Sequence, residues 1–248
     1  MITQKNTAII IPARLAAIRL PNKPLIDING EPMILHVWRR ACDSNLGKVI
    51  VATDSIDIQN IIKNNGGVSL LTSSEHHSGT DRIFEALEQY DKSDEIKYII
   101  NLQGDLPTID SNSLLRVLRI LENQKVSIGT LVVKIKNKED LLKPQIVKAV
   151  CEFKDTQENA RAMDFQRTPE NISPDNLYHH IGIYSYTKES LKQFVKLSQT
   201  SREISEKLEQ LRALENNIHI EAGLIDFLPL GVDTPEDLEI IKEQMTKI

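Results

Sequence analysis

The chain has little cysteine, no long apolar run and no excess of positive charge, and each shortage removes a class of protein. Only Cys42 and Cys151 occur in 248 residues, far apart and without metal-ligand spacing. That excludes a disulfide framework, and both read as reduced residues at or near a core. No apolar run approaches the roughly 18 residues that cross a bilayer. The opening Met1-Ile2-Thr3-Gln4-Lys5-Asn6 lacks the apolar core of a secretory signal, so a cytoplasmic protein with no membrane partner is expected. Lys and Arg number 30 against 35 Asp and Glu, a net charge of −5. This removes the basic face of a general nucleic-acid binder and leaves room for a local cationic pocket. Repeats, low-complexity tracts and linkers are also missing, which points to one domain with an inserted or appended lobe.

What the chain does have, in its first half, is alternation. Apolar runs at 8–11, 48–52, 68–71 and 98–102 are too short for helices and read as buried strands. Between them lie helical patterns at 33–41, at Ile58, Ile61 and Ile62, at 80–90, and at Leu114, Leu118 and Leu121. Asp54 is placed to cap the second helix, and Gly66-Gly67 to end it. Strand and helix in turn predict a mostly parallel sheet. The second half predicts strands over 127–135 and 145–153, a polar stretch over 155–176, and an alternating strand through His180-Ile181-Gly182-Ile183-Tyr184-Ser185-Tyr186. A helix is expected over 203–216, and Thr234-Pro235-Glu236-Asp237 opens the last one.

Several segments carry candidate chemistry. In Ile9-Ile10-Ile11-Pro12-Ala13-Arg14-Leu15-Ala16-Ala17-Ile18-Arg19-Leu20-Pro21-Asn22-Lys23-Pro24-Leu25, a strand empties into a loop bearing Arg14, Arg19 and Lys23. Ligands of open α/β sheets lie beyond the carboxyl ends of strands, so this loop suits a phosphate; a solvated basic loop is the competing reading. Asp105, in Asn101-Leu102-Gln103-Gly104-Asp105-Leu106-Pro107, is a hard-oxygen ligand suited to magnesium, or a turn residue capping a helix near Asp110. Asp233, in Gly231-Val232-Asp233-Thr234, is by itself an acid favoured near a helix N-terminus; joined to Asp105 it would make a metal site, and spacing does not say whether they meet. Ser78-Gly79-Thr80-Asp81-Arg82 puts backbone N–H groups and hydroxyls ahead of a helix. The pairs His76-His77 and His179-His180 lack a third ligand and the spacing of a helix face, which disfavours a metal site. Glu206-Lys207-Leu208-Glu209-Gln210-Leu211-Arg212 reads, taken alone, as an amphipathic helix with a solvated face.

Together these segments resemble, from end to end, the 3-deoxy-D-manno-octulosonate (KDO) cytidylyltransferase family. The opening loop is similar to its I-P-A-R-x-x-S-x-R-L-P-x-K-P-L, and Ser78 to Arg82 to its S-G-T-D-R. Gln103-Gly104-Asp105 resembles Q-G-D, His180 to Tyr184 resembles H-I-G-I-Y, Leu208 to Arg212 resembles L-E-Q-L-R, and Gly231 to Thr234 resembles G-V-D-T. The resemblance implies one cytidylyltransferase domain over 1–248. Its fold would be α/β, a mostly parallel doubly wound sheet of the nucleotide-sugar nucleotidyltransferase type with an antiparallel substrate and dimerisation lobe. The implied reaction is magnesium-dependent attack of the anomeric hydroxyl of KDO on the α-phosphorus of CTP, giving CMP-KDO and pyrophosphate for lipopolysaccharide biosynthesis, in a homodimer. On the same ground Lys23, Arg14 and Asp105 are the catalytic candidates. Arg14, Arg19, Lys23, Ser78, Gly79 and Gln103 would hold CTP, and Asp105 and Asp233 would hold Mg2+. Arg167, His180, Tyr184, Glu209 and Gln210 would line the acidic-sugar pocket.

Three positions depart from the family pattern. Ala17 replaces a serine, Leu106 stands where many members have glutamate, and Asp164 and Gln166 interrupt the family's A-L-Y-F-S-R-x-P around Arg167. An enzyme acting on a related acidic sugar, amino-substituted KDO or sialic acid, is the neighbouring alternative, and a non-catalytic nucleotide-binding paralogue a more distant one. Leu15-Ala16-Ala17-Ile18 does not resemble the glycine- and serine-rich loop of the sialic-acid enzymes.

Overall fold

The computed structural model describes residues 1–15, 20–154, 156–169 and 172–246. Its strands are β1 (Thr7–Ala13), β2 (Asp27–Ile28), β3 (Glu31–Pro32), β4 (Lys48–Thr53), β5 (Val68–Leu71), β6 (Tyr98–Asn101), β7 (Ile128–Lys134), β8 (Lys148–Cys151), β9 (Asn159–Gln166), β10 (Leu177–Thr187) and β11 (Ile220–Leu224). Its helices are α1 (Met33–Asp43), α2 (Ile56–Asn64), α3 (Gly79–Tyr90), α4 (Ser111–Arg119), α5 (Lys188–Phe194), α6 (Ser201–Glu206), α7 (Gln210–Glu215) and α8 (Pro235–Met245). By packing, the chain divides into two compact units, residues 1–115 with 229–248, and residues 116–228.

The first unit holds four parallel strands in the order β5-β4-β1-β6. Strands of a covered parallel sheet are apolar on both faces, which is why these read as unbroken runs. Ile9, Ile10, Ile11, Ile50, Val51, Ile99 and Ile100 are all fully buried. β1 runs through Pro12, which pairs with Ala52, and so extends beyond the apolar run at 8–11. The cap of α2 is Ser55, whose Oγ accepts from Ile58 N at 3.4 Å. Asp54 serves elsewhere, as an ion-pair partner of Arg82 at 2.8 Å.

The second unit departs from expectation at four points. The lobe is not purely antiparallel: β10-β7-β11-β9-β8 closes on itself because β8 also pairs with β10, and β7 and β11 run parallel within this ring. The stretch over 155–176 is not wholly irregular, since β9 lies inside it. Ala160, Ala162 and Phe165 form the buried side of β9, and two alanines between polar residues give a weak apolar signal. The single helix expected over 203–216 is two, α6 and α7, broken at Lys207 in the left-handed region (φ 54°). β10 also departs from simple alternation. Its register against β7 shifts between Ile181 and Tyr184, so Ile181, Ile183 and Tyr186 are all buried.

Cys151 is buried, with its thiol pushed up to about 12 by that burial, whereas Cys42 is exposed on α1 and not near a core. Among the described residues no helix is long and apolar enough to cross a membrane.

Candidate active site

In the first unit one cation sits between two carboxylates. Lys23 Nζ donates to Asp105 Oδ2 at 2.7 Å and to Asp233 Oδ1 at 2.9 Å. Local structure explains how residues so distant in sequence meet. Val232 N donates to Asp105 O at 3.0 Å, while Leu230 N donates to Thr108 Oγ1 (2.7 Å) and Thr108 Oγ1 to Leu230 O (3.0 Å). The segment before Asp233 is thereby tied to the segment after Asp105. An apolar cluster of Leu20, Ile28, Met33, Val232 and Ile241, with Ile26 and Leu230 against it, draws the Lys23 loop to the same place. Burial alone lowers the pKa of Lys23, but Asp105 and Asp233 outweigh it and the net shift is upward, so the ammonium stays charged.

The structure removes the helix-capping alternative for Asp105 and leaves Asp233 beside a helix N-terminus, as an acid favoured there. Asp110, not Asp105, caps α4, accepting from Ser113 N at 2.6 Å. Thr234 and Asp237 cap α8 reciprocally, at 3.2 and 2.8 Å, so capping of that helix does not rest on Asp233. Gly104 is where chain meets chain: a Cβ there would lie 3.0 Å from Pro12 O.

A second group gathers at the carboxyl ends of β1 and β6. Arg14 follows β1 directly and is exposed. Ser78 Oγ caps α3, accepting from Asp81 N at 3.1 Å and donating to Asp81 Oδ2 at 2.8 Å. Gly79 presses on Pro12 and Gln103: an added Cβ would be 3.3 Å from Pro12 Cγ and 3.8 Å from Gln103 Oε1. Gln103 Nε2 donates to Asn101 Oδ1 (3.1 Å), and Asn101 Nδ2 to Thr80 Oγ1 (3.2 Å). Ser78, Gly79 and Gln103 thus belong to one cluster, with buried Asn101 as a member the sequence reading left without a role. Arg82, also left without one, is buried and bridges Asp54 and Thr72 Oγ1 at 2.8 and 2.6 Å. Arg19 and Ala17 lie outside the described residues.

In the second unit His180, Tyr184 and Glu209 come together. The His180 and Tyr184 rings are 5.5 Å apart, and Phe165 stands edge-on to His180 at 4.8 Å. Burial, followed by Tyr186 and Glu209, pushes the Tyr184 phenol well above its ordinary value, so it is a neutral hydroxyl. Burial, then His179, pushes His180 down to about 3, so it is a neutral imidazole. Gln210 opens α7 and is buried.

Arg167 has a different immediate role. Its Nε, Nη1 and Nη2 donate to the carbonyls of Glu206, Pro144 and Lys207 at 2.8, 3.1 and 3.4 Å. It therefore clamps the break between α6 and α7, two residues before Glu209. With Phe165, Gln166, Thr168, Arg202 and Glu206 it also lines a pocket of about 250 Å³. The departures at Asp164 and Gln166 are explained here: Asp164 accepts from Arg202 Nη2 at 2.9 and 3.1 Å and from Gln166 Nε2 at 2.8 Å. The amphipathic reading of 206–212 gives way for a similar reason. Arg212 is buried, paired with Glu203 (2.5 and 2.8 Å) and stacked over Phe194 at 4.7 Å.

Comparison with known proteins bears on the family of the chain. Residues 8–220 match the cytidylyltransferase family model. A 3-deoxy-manno-octulosonate cytidylyltransferase of Paramagnetospirillum magneticum is 47% identical over 93% of this chain and 94% of its own length. One of Afipia carboxidovorans is 46% identical over 99% of both chains. Among solved structures, CMP:2-keto-3-deoxy-manno-octonic acid synthetase complexed with CTP superposes with a TM-score of 0.86 at 33% identity, over 97% of this chain and 98% of that one. A 4-diphosphocytidyl-2C-methyl-D-erythritol synthase of Anaerococcus prevotii shares the fold alone, with a TM-score of 0.65 at 13% identity over 98% and 99% of the two chains. An α/β fold of the nucleotidyltransferase kind, a carboxylate–lysine centre and near-complete coverage at this identity lead to one assignment: the chain belongs to the 3-deoxy-manno-octulosonate cytidylyltransferases.

Proposed function

We propose that the Lys23, Asp105 and Asp233 centre is where CMP transfer from CTP to KDO takes place, with release of pyrophosphate. The observation that carries this is the seating of one ammonium on two carboxylates from distant parts of the chain. Phosphoryl-type transfer needs charge neutralisation and positioning more than a nucleophilic side chain, and these residues supply both. The same pair of hard-oxygen donors, already sharing a cation, fits Mg2+, which binds through one or two carboxylates plus substrate phosphates. Magnesium bound there would neutralise the triphosphate and the departing pyrophosphate. Lys23 then turns its charge to the phosphates, and exposed Arg14 meets them from the end of β1. Ser78, Gly79 and Gln103 hold the nucleotide, with α3 presenting its first-turn N–H groups.

The acidic sugar belongs to His180, Tyr184, Glu209 and Gln210. Among the described residues Arg167 keeps two of its five N–H donors beyond the three carbonyls it clamps, enough for one carboxylate. Match of the family model through both packing units supports one catalytic domain over 1–248. Exposed Leu142, Met163, Ile204 and Phe227, all in the second unit, support a homodimer. The product would serve lipopolysaccharide biosynthesis in the cytoplasm.

Pyrophosphate release from CTP, KDO and Mg2+ tests the centre. Asp105→Asn and Asp233→Asn should each lower kcat by about 100-fold or more with circular dichroism unchanged. The double variant should be little worse than either single, because groups acting as one unit are non-additive. Losses that multiply would show that the two carboxylates do not share a task.

A further inference from the structure

One threonine reaches three groups of β10 at once. Thr130 Oγ1, on β7, lies 2.9 Å from Ile183 O, 3.3 Å from Ile181 O and 3.1 Å from His180 Nε2. It sits where the register of β10 shifts, so the irregular residues turn two carbonyls toward the same hydroxyl. Thr130 is fully buried, and among the described residues it is the ring's one hydrogen-bond partner.

A hydroxyl has one proton to give. Were it given to His180 Nε2, both carbonyl oxygens would face a third acceptor inside a buried site, with nothing between them. Donation to Ile183 O, the shortest contact, satisfies that carbonyl, leaves only the longer 3.3 Å contact to Ile181 O without a proton, and turns an Oγ1 lone pair toward His180. His180 must then be the donor, so its N–H is on Nε2. The ring is neutral, as its burial requires, so Nδ1 carries a lone pair and no proton.

We infer that Thr130 is a positioning residue that fixes His180 as the Nε2–H tautomer, so that Nδ1 accepts a hydrogen bond from a hydroxyl of the sugar substrate. This rests on the reading of His180 as a sugar contact. It also assigns the chemistry of that contact: His180 recognises a hydroxyl and is unsuited to a carboxylate, which falls to Arg167. A neutral acceptor repels a carboxylate and welcomes an O–H, so it discriminates among acidic sugars by hydroxyl placement.

Nitrogen-15 NMR of histidine-labelled protein without substrates reads the tautomer directly. The wild type and Thr130→Ser should show His180 protonated at Nε2 and bare at Nδ1 near neutral pH. Thr130→Val, which keeps shape and loses the hydroxyl, should lose that preference. In steady-state assays Thr130→Val should raise KM for KDO about tenfold with KM for CTP unchanged, and Thr130→Ser should restore it. An Nδ1–H or imidazolium signal in the wild type overturns the inference, as does Thr130→Val keeping both tautomer and KM. Should Thr130→Val not fold, the wild-type and serine spectra still decide the tautomer. A protein that shows the Nε2–H tautomer yet turns over no KDO would refute the sugar reading and leave the role of Thr130 in place.

Discussion

A histidine held neutral in a folded chain must take up a proton when that chain unfolds in acid. His180 titrates near 3 in the fold, chiefly through burial and then through His179, against 6.5 for the free side chain. Between those values the unfolded state binds more protons, so stability is complete above 6.5 and falls as pH drops. At about pH 5 the loss from this one group is about 2 kcal/mol, set by the unfolded value as long as the folded one stays below 5. Urea unfolding at pH 7 and 5 should show the wild type losing that much more than His180→Asn, and parallel losses would refute the neutral assignment. The side chains that needed the fold to be understood are those whose partners are remote. Asp105 and Asp233 each had an adequate local explanation in the sequence, and the Lys23 that they share is visible only in the fold. Arg167 was legible as a cation in its motif, but not as a clamp on Glu206 and Lys207 carbonyls some 40 residues on.

The elements that were legible owe it to unbroken or strictly periodic burial. β1, β4 and β6 announce themselves because a covered parallel strand has no polar face. β9 did not, since its buried side includes two alanines. The α6–α7 break was hidden because Ile204, Leu208 and Leu211 keep helical spacing across it, while Lys207 takes φ 54°. A left-handed lysine costs about 1 kcal/mol relative to glycine. Lys207→Gly should therefore exceed Lys207→Val in stability by about 1–2 kcal/mol, opposite to their order inside a helix. Denaturation midpoints of the two variants provide the check, and a valine variant as stable as the glycine one would contradict the break.

For the molecule as a whole, net charge and substrate charge have the same sign. At −5, the chain gains nothing from long-range attraction toward CTP or an acidic sugar, so its cations must act locally. The first unit was readable because its sheet is built from consecutive β-α steps. The second is a ring stitched by pairings of distant segments, such as β8 with β10, that periodicity cannot register. Its exposed apolar residues bear on assembly. Met163 and Ile204 flank in sequence the Asp164–Arg202 ion pair. Replacing both by glutamate should weaken the proposed homodimer by about 100-fold or more, turning dimer into monomer in micromolar sedimentation runs. A wild type that sediments as a monomer at tens of micromolar would end the dimer proposal.

β5 is the outer strand of the first unit's parallel sheet, short, with Val68 and Leu71 partly exposed at 39% and 40%. Such a margin is a template on which a stray strand can grow. Ser69 O and Leu71 O, two residues apart and so on one side of the strand, accept from the carboxamides of Gln59 (3.2 Å) on α2 and Gln89 (3.0 Å) on α3. The sheet is thereby finished by side chains instead of by charge or proline. Any further strand must first displace both amides, so two glutamines on neighbouring helices guard this edge against the addition of another strand.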